Sequence, residues 1–154
     1  MDEQSQHHRE FTLERLYPNC KEHVWAAWSI REKKAAWLGS EGLEMDFSPG
    51  GAERSSFRNF MGEHTNEGRY FEIKEGQRIV LAYSMAVNGR VHTVSLATIL
   101  FEDASGGTRL TYTEQMCVMP PSDGMEGRQH GWSALLDSLT GYLASDTDRP
   151  RRHE

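Results

Sequence analysis

The alternation of hydrophobic and polar positions changes period along the chain, and each change marks a new element. Residues 11–17, FTLERLY, alternate loosely and are rich in β-formers, which predicts a strand ended by Pro18. The spacing then turns helical: Cys20, Val24, Ala27 and Trp28 share a face, with Trp25 about 100° round from it. Asn19 with Glu22 reads as a capping box, and Ser29 with Glu32 repeats it. Two short helices follow, the second carrying Ile30 and Trp37 and stopping at Gly39.

From Leu43 the period is two. Leu43, Met45 and Phe47 alternate with Glu44 and Asp46, and Pro49-Gly50-Gly51 turns the chain into a less regular strand running to about Met61. Further strands are predicted at roughly 66–74, 78–86, 91–102 and 108–118. Glu75-Gly76, Asn88-Gly89 and Gly106-Gly107 punctuate them; Asn-Gly favours a two-residue hairpin with both central residues at positive φ. The result is an antiparallel meander.

The last stretch is helical again, opened by Pro120-Pro121-Ser122-Asp123 with Asp123 and Glu126 as a capping box. Met125, Trp132, Leu135, Leu136, Leu139 and Leu143 form one stripe, which must be covered. An apolar face of the meander supplies the cover, so the fold class is α+β, a C-terminal helix lying on a curved sheet. Residues 1–10 and 145–154 are polar and aperiodic, and read as disordered tails around a single domain over 11–144.

Composition narrows the function. The chain has 154 residues, enough for one core, and a formal charge of −6. Its one arginine cluster, Arg149, Arg151 and Arg152, lies in a tail, so no nucleic-acid partner is expected. Arg31, Lys33 and Lys34 on the second short helix do not make it a DNA reader, because Trp37 follows where a groove would want polar groups. No apolar run approaches the roughly 18 residues of a membrane span, and the start lacks the signal-peptide pattern, so a cytoplasmic setting is expected.

The sequence argues against several chemistries. Cys20 and Cys117 read as reduced, small apolar fillers. The seven histidines show no HxH, HxxxH or HExxH spacing and read as surface residues, so no metal or other cofactor is expected. Conventional signatures of hydrolases, phosphate loops and dinucleotide enzymes are absent from the sequence.

What remains is a set of polar and aromatic residues in places where aliphatics would serve. Trp25 and Trp132 read as core, whereas Trp28 and Trp37 are balanced between core and the lining of a ligand space. Arg128 and Gln129 flank the line through Met125 and Trp132; they either reach solvent past a helix end or meet a ligand or an internal ion pair. Regular alternation puts Glu114 on one strand face with Leu110, Tyr112 and Met116, opposite Arg128 or a ligand hydroxyl unless a bulge turns it out or a structural salt bridge holds it. Tyr70, Tyr83 and Met85 are further wall candidates, joined by Met116 and Met125.

Six stretches in order, 24-VWAAW-28, 37-WLG-39, 46-DFSPGG-51, 68-GRYFEI-73, 107-GTRLTYTE-114 and 131-GWSALLDSL-139, resemble the family named after the activator of the 90-kDa heat-shock protein ATPase. That family belongs to the START-like (SRPBCC) superfamily, which also contains polyketide cyclases and lipid carriers. The resemblance implies the helix-grip fold and a cavity between sheet and final helix, lined by the candidates above. It implies as partners a small hydrophobic molecule, lipid or polyketide-like aromatic, or a chaperone. It also implies an alternative, a cyclase in which Glu114, Arg128 and a tyrosine polarise a carbonyl and move a proton. The family often has a second tryptophan where this chain has Leu38.

Overall fold

The computed structural model describes residues 5–122 and 124–146. The chain runs β1 (His7–Tyr17), α1 (Lys21–Ser29), α2 (Arg31–Leu38), β2 (Glu44–Met45), β3 (Ala52–Asn59), β4 (Gly62–Lys74), β5 (Arg78–Val87), β6 (Arg90–Ala104), β7 (Gly107–Val118) and α3 (Met125–Ser145). The strands pair antiparallel in the order β1-β7-β6-β5-β4-β3-β2, so the N-terminal strand closes one side of the six-strand meander. With α3 laid across the sheet and the short helices between β1 and β2, this is the α+β helix-grip layout.

The turns follow their residues. Asn88 and Gly89 take φ 50 and 83, which joins β5 to β6 through the predicted two-residue hairpin. Gly39 ends α2 at φ 70, and its N–H bonds back to the carbonyls of Ala35 and Ala36.

The helix starts differ from expectation. The residue capping α1 is Cys20, with no side-chain bond, and Asn19 instead lies buried with its amide on His23 Nδ1 at 3.1 Å and on the Leu143 carbonyl at 3.2 Å. A tertiary acceptor at the end of α3 outcompetes the local cap. At α2 the capping residue is Ile30, because Ser29 still belongs to α1. At α3 the capping residue is Gly124, while Asp123 of the expected box lies outside the described residues.

β1 begins at His7, four residues before the predicted strand, and residues 7–10, expected in a tail, pair with Val118 through Gln115 of β7. All four side chains are exposed, so the sequence carries no hydrophobic period there; the unpaired edge of β7 holds them by backbone hydrogen bonds alone. The tail expectations for 1–4 and 147–154 lie outside the described residues.

The core fills the concave face of the sheet. Alternate residues of β7, from Leu110 through Tyr112, Glu114 and Met116 to Val118, are buried there, as are Ala97, Ile99 and Phe101 of β6. Leu136, Leu139 and Leu143 of α3 are fully buried against this face, but Met125, Trp132 and Leu135, on the first half of the same stripe, are only half-buried. The second half of α3 packs on the sheet and the first half stands off it.

Three histidines are not at the surface: His23, His64 and His92 are buried, unlike His130. Cys20, expected as an apolar filler, is exposed, and Cys117 is half-buried; neither forms a disulfide.

Candidate functional site

The polar centre of the molecule is set by strand register. Tyr83 on β5 pairs with Ser95 on β6, and Ser95 pairs with Met116 on β7, which places Glu114 diagonally across from Ser95 on the concave face. Glu114 has no solvent exposure, and both its oxygens are taken. Oε1 accepts from the hydroxyls of Tyr83 at 2.8 Å and Tyr112 at 2.7 Å; Oε2 accepts from Ser95 Oγ at 2.6 Å and Arg128 Nη1 at 2.7 Å.

Arg128 reaches down from the first turn of α3. Besides Glu114, it donates to the Tyr83 hydroxyl at 3.0 Å and, through Nη2, to Thr93 Oγ1 at 2.5 Å. Its guanidinium carbon lies 5.5 Å from the Tyr83 ring centre. Trp132 completes the cluster by donating its indole N–H to the Tyr83 oxygen at 3.2 Å.

Burial, then the negative Glu114, pushes the Tyr83 hydroxyl well above its ordinary value. Tyr112 moves the same way, by burial first and then by Tyr83 and Glu114. Burial opposes the charge on Arg128, but the Tyr83 and Glu114 oxygens outweigh it and hold the group protonated. The cluster is therefore a neutral set of phenols around one compensated ion pair.

Because the first half of α3 stands off the sheet, a cavity of about 610 Å³ opens beneath it. Leu81, Tyr83, Met85 and Ile99 floor it, Arg128, Gly131, Trp132 and Leu135 roof it, and Trp28, Lys34 and Leu38 close one end. Gly68 makes room: a Cβ there would lie 3.0 Å from the Cβ of its cross-strand partner Tyr83. The aromatic end wall is continuous, with Trp28 and Trp132 stacked at 6.1 Å and 5°, Trp132 on Tyr112 at 4.2 Å, and Trp28 against Trp37 at 4.8 Å.

A second polar pair sits at this end. Lys34 of α2, only 3% exposed, donates to Glu53 Oε1 of β3 at 2.6 Å, and its ammonium lies 5.3 Å from the Trp28 ring centre. The Tyr70 hydroxyl donates to the same Glu53 oxygen. Burial, reinforced by Glu53, raises Tyr70 far above its ordinary value.

Of the residues singled out from the sequence, Trp28, Tyr83, Met85, Arg128 and Trp132 line the cavity. Glu114 lies just behind its wall, bound to three residues that line it or flank them: Tyr83, Tyr112 and Arg128. Trp37, Tyr70, Met116 and Met125 are not on the lining. Trp37 packs behind Trp28 and donates to the Ala27 carbonyl at 2.7 Å, Tyr70 backs Glu53, and Met116 is core. Met125 packs half-buried against that core. Gln129 turns to the other side of α3, onto a separate recess of about 340 Å³ with Leu13, Glu126, His130 and Ser133.

Lys34 and Glu53 escaped the sequence reading. The signal for Lys34 was present: Ile30, Lys34 and Trp37 stand at i, i+4 and i+7, so the lysine shares the inward face of α2 with Trp37. His64 and Asn66, also on the wall, carried no signal short of the β3–β4 register. Among the described residues there is no cluster of metal-binding side chains and no helix long and apolar enough to cross a membrane.

Comparison with known proteins places these features in context. Residues 20–144 match the profile of the family described as activator of Hsp90 ATPase homolog 1-like protein. A Rhizobium leguminosarum protein of unknown function superposes with a TM-score of 0.87 at 30% identity, over 92% of this chain and 98% of its own. The Mll3558 protein of Rhizobium loti does so with 0.84 at 34% identity, over 90% and 99%. DynU16, from the dynemicin biosynthetic locus, shares the fold at a TM-score of 0.68 and 19% identity, over 94% of this chain and 49% of its own. No match was found among curated proteins.

Proposed function

We propose, from the premise that this chain belongs to the activator of Hsp90 ATPase homolog 1-like family, that it is a binding domain for a small, mostly apolar molecule, a lipid or polyketide-like aromatic. The occupant lies between the sheet and the first half of α3. The observation that carries this reading is the cavity itself: about 610 Å³ falls within the roughly 300–1,000 Å³ of small-molecule sites, and the walls join aromatic and aliphatic surface to a few convergent polar groups. A filled interior would have removed the reading. A cytoplasmic location goes with it.

The ion pair of Glu114 and Arg128 serves in this reading as the fixed back wall. It ties α3 to β5, β6 and β7 and keeps the mouth of the sheet open at a set distance. Trp28, Tyr83, Met85, Arg128 and Trp132 contact the ligand directly, Trp37, Tyr70, Glu114, Met116 and Met125 support them from behind or beside, and Gln129, facing the separate recess, takes no part.

A cyclase-like enzyme using Glu114 as base is the alternative chemistry. The four donors on Glu114 weigh against it, since a base needs a free lone pair toward the substrate. A chaperone-binding module is the alternative partner reading, with exposed Phe57, Phe60 and Met61 on the β3–β4 hairpin as its apolar surface. Affinity capture with the cell's own 90-kDa chaperone separates it from the ligand reading.

Titration with lipids, flavonoids and polyketide-like aromatics, followed by amide resonances, tests the proposal. Shifts are expected at residues 81–85, at 128–135 and at Trp28. A saturating panel that leaves those resonances in place overturns it.

A further inference from the structure

The turn that joins β3 to β4 carries residues that turns seldom use. Asn59 pairs with Gly62, so the two residues at the apex are Phe60 and Met61, where Gly, Asn, Asp, Ser or Pro is usual. Phe60 is 96% exposed, and Phe57 and Met61 on the same hairpin are half-exposed. Val91, at the start of β6, is exposed as well. A lone apolar side chain at the surface needs no explanation, but a group of them on one projecting hairpin marks a contact surface.

The apex is built to do without water. The Met61 N–H donates to Asn59 Oδ1 at 2.9 Å, and the Met61 carbonyl accepts from Asn88 Nδ2 at 3.2 Å. Asn88 Oδ1 accepts from the Glu63 N–H at 2.9 Å, and the Asn88 N–H donates to the Glu63 carbonyl at 2.7 Å. Gly62 permits this lock, since a Cβ there would stand 2.2 Å from Asn88 Oδ1. Peptide groups satisfied in this way can enter an apolar phase without losing hydrogen bonds. The same groups have little left to offer a protein partner, whose contacts would be bonded through them.

Position and charge then name the surface. Phe57 and Met61 line the cavity and are also half-exposed, so they stand where it opens to solvent, and the exposed Pro121 of the β7–α3 loop stands there too. An apolar guest passes these residues on its way in. The chain as a whole is at −6, but at physiological salt only charges within about 8 Å of a contact are felt strongly. The β3–β4 and β5–β6 turns bring Arg58 and Arg90 against Glu63, all exposed; His64 and His92 are buried behind them, and Glu126 faces the separate recess. Two cations against one anion on an acidic chain suit the anionic face of a membrane.

We propose that the β3–β4 tip docks on an anionic lipid bilayer, with Phe60 entering the boundary between headgroups and acyl chains and the cavity mouth turned to the lipid. An apolar guest then moves between bilayer and cavity without crossing water. This goes beyond the binding reading and has a readout of its own, because docking depends on the tip and the reading on the cavity.

The test sediments the full chain with vesicles of phosphatidylcholine alone and with vesicles of equal parts phosphatidylcholine and phosphatidylglycerol. Binding is expected to be tighter on the mixed vesicles and to weaken as salt is raised. Phe60→Ser is expected to weaken it on the order of ten-fold, and Phe60→Leu to keep most of it. Phe60 is almost fully exposed and not at positive φ, so both variants are expected to melt with the unmodified chain.

A chain that sediments with neither vesicle overturns the inference, as does Phe60→Ser sedimenting as well as the unmodified chain. Self-association or capture of the 90-kDa chaperone that Phe60→Ser abolishes, with vesicles left unbound, overturns it in favour of a protein partner. The ligand titration above is run without vesicles: its failure removes the binding reading and leaves docking standing, and the converse holds.

Discussion

Arg128 Nη1 lies 2.7 Å from Oε2 of Glu114, joining the first turn of α3 to the middle of β7 through an ion pair whose side chains are 10% and 0% exposed. In the hydrophobic pattern these residues break the rule at their positions, and each is the reason the other is tolerated. Removing one partner leaves a buried charge. Glu114→Ala is therefore expected to destabilise the fold by about 3–5 kcal/mol, measured by urea denaturation. Glu114→Leu with Arg128→Met is expected to recover only the part of the loss that comes from the stranded Arg128 charge, since the hydroxyls of Tyr83, Tyr112 and Ser95 still lack their acceptor. A single variant no less stable than the double would contradict this account.

The phenols predict an alkaline limit. Tyr17, Tyr70, Tyr83 and Tyr112 all have hydroxyls raised above the ordinary 10.0, in each case chiefly by burial. Above pH 10 the unfolded chain loses these protons while the folded chain keeps them, so the unfolded state gains. Stability is unaffected by these groups below about pH 10 and falls as pH rises beyond it. Tyrosinate absorbance for these four residues should appear together with loss of ellipticity. Tyrosinate signal from all four in a protein still fully folded would refute it.

Gly131 is a helix-interior glycine with nothing within 4 Å of where its Cβ would stand, on the cavity roof. Gly131→Ala is expected to stabilise α3 by about 0.5–1 kcal/mol, read as a higher melting temperature, because alanine restricts the unfolded chain and meets no neighbour. Gly131→Phe is expected to keep the fold and abolish ligand shifts at residues 81–85 by occupying the space.

Asn19 supplies a test between local and tertiary roles. As a helix cap it would be replaced by serine at little loss. Its amide instead bridges His23 and the Leu143 carbonyl, 3.1 and 3.2 Å away, which a serine hydroxyl is too short to reach together. Asn19→Ser is expected to lower stability by about 1–3 kcal/mol in denaturant titration, the range for leaving buried partners unsatisfied.

The order of elements and the face of most strands were legible because both depend on local period. The alternation over Leu110–Val118 is broken at Glu114 in polarity but not in direction; the strand pattern offered the inward placement, and the unshifted pairing of β7 with β1 and β6 excludes the bulge that would have turned the carboxylate out. The helix caps misled for the opposite reason: Asn19 and Ser29 have capping chemistry, but Asn19 found a stronger acceptor 124 residues away and Ser29 was held inside α1.

Period, turn chemistry and the misplaced Arg128 thus fixed the architecture and one half of the candidate site, because a side chain's face and a hairpin's geometry are decided within a few residues. Only the tertiary structure decided that the first half of α3 stands off the sheet, that Lys34 meets Glu53 beneath Trp28, and that the buried indole N–H of Trp28 has no acceptor among the described residues. Those are distances between segments far apart in the chain, set by how the curved sheet and three helices share one core, and no local pattern encodes such a gap.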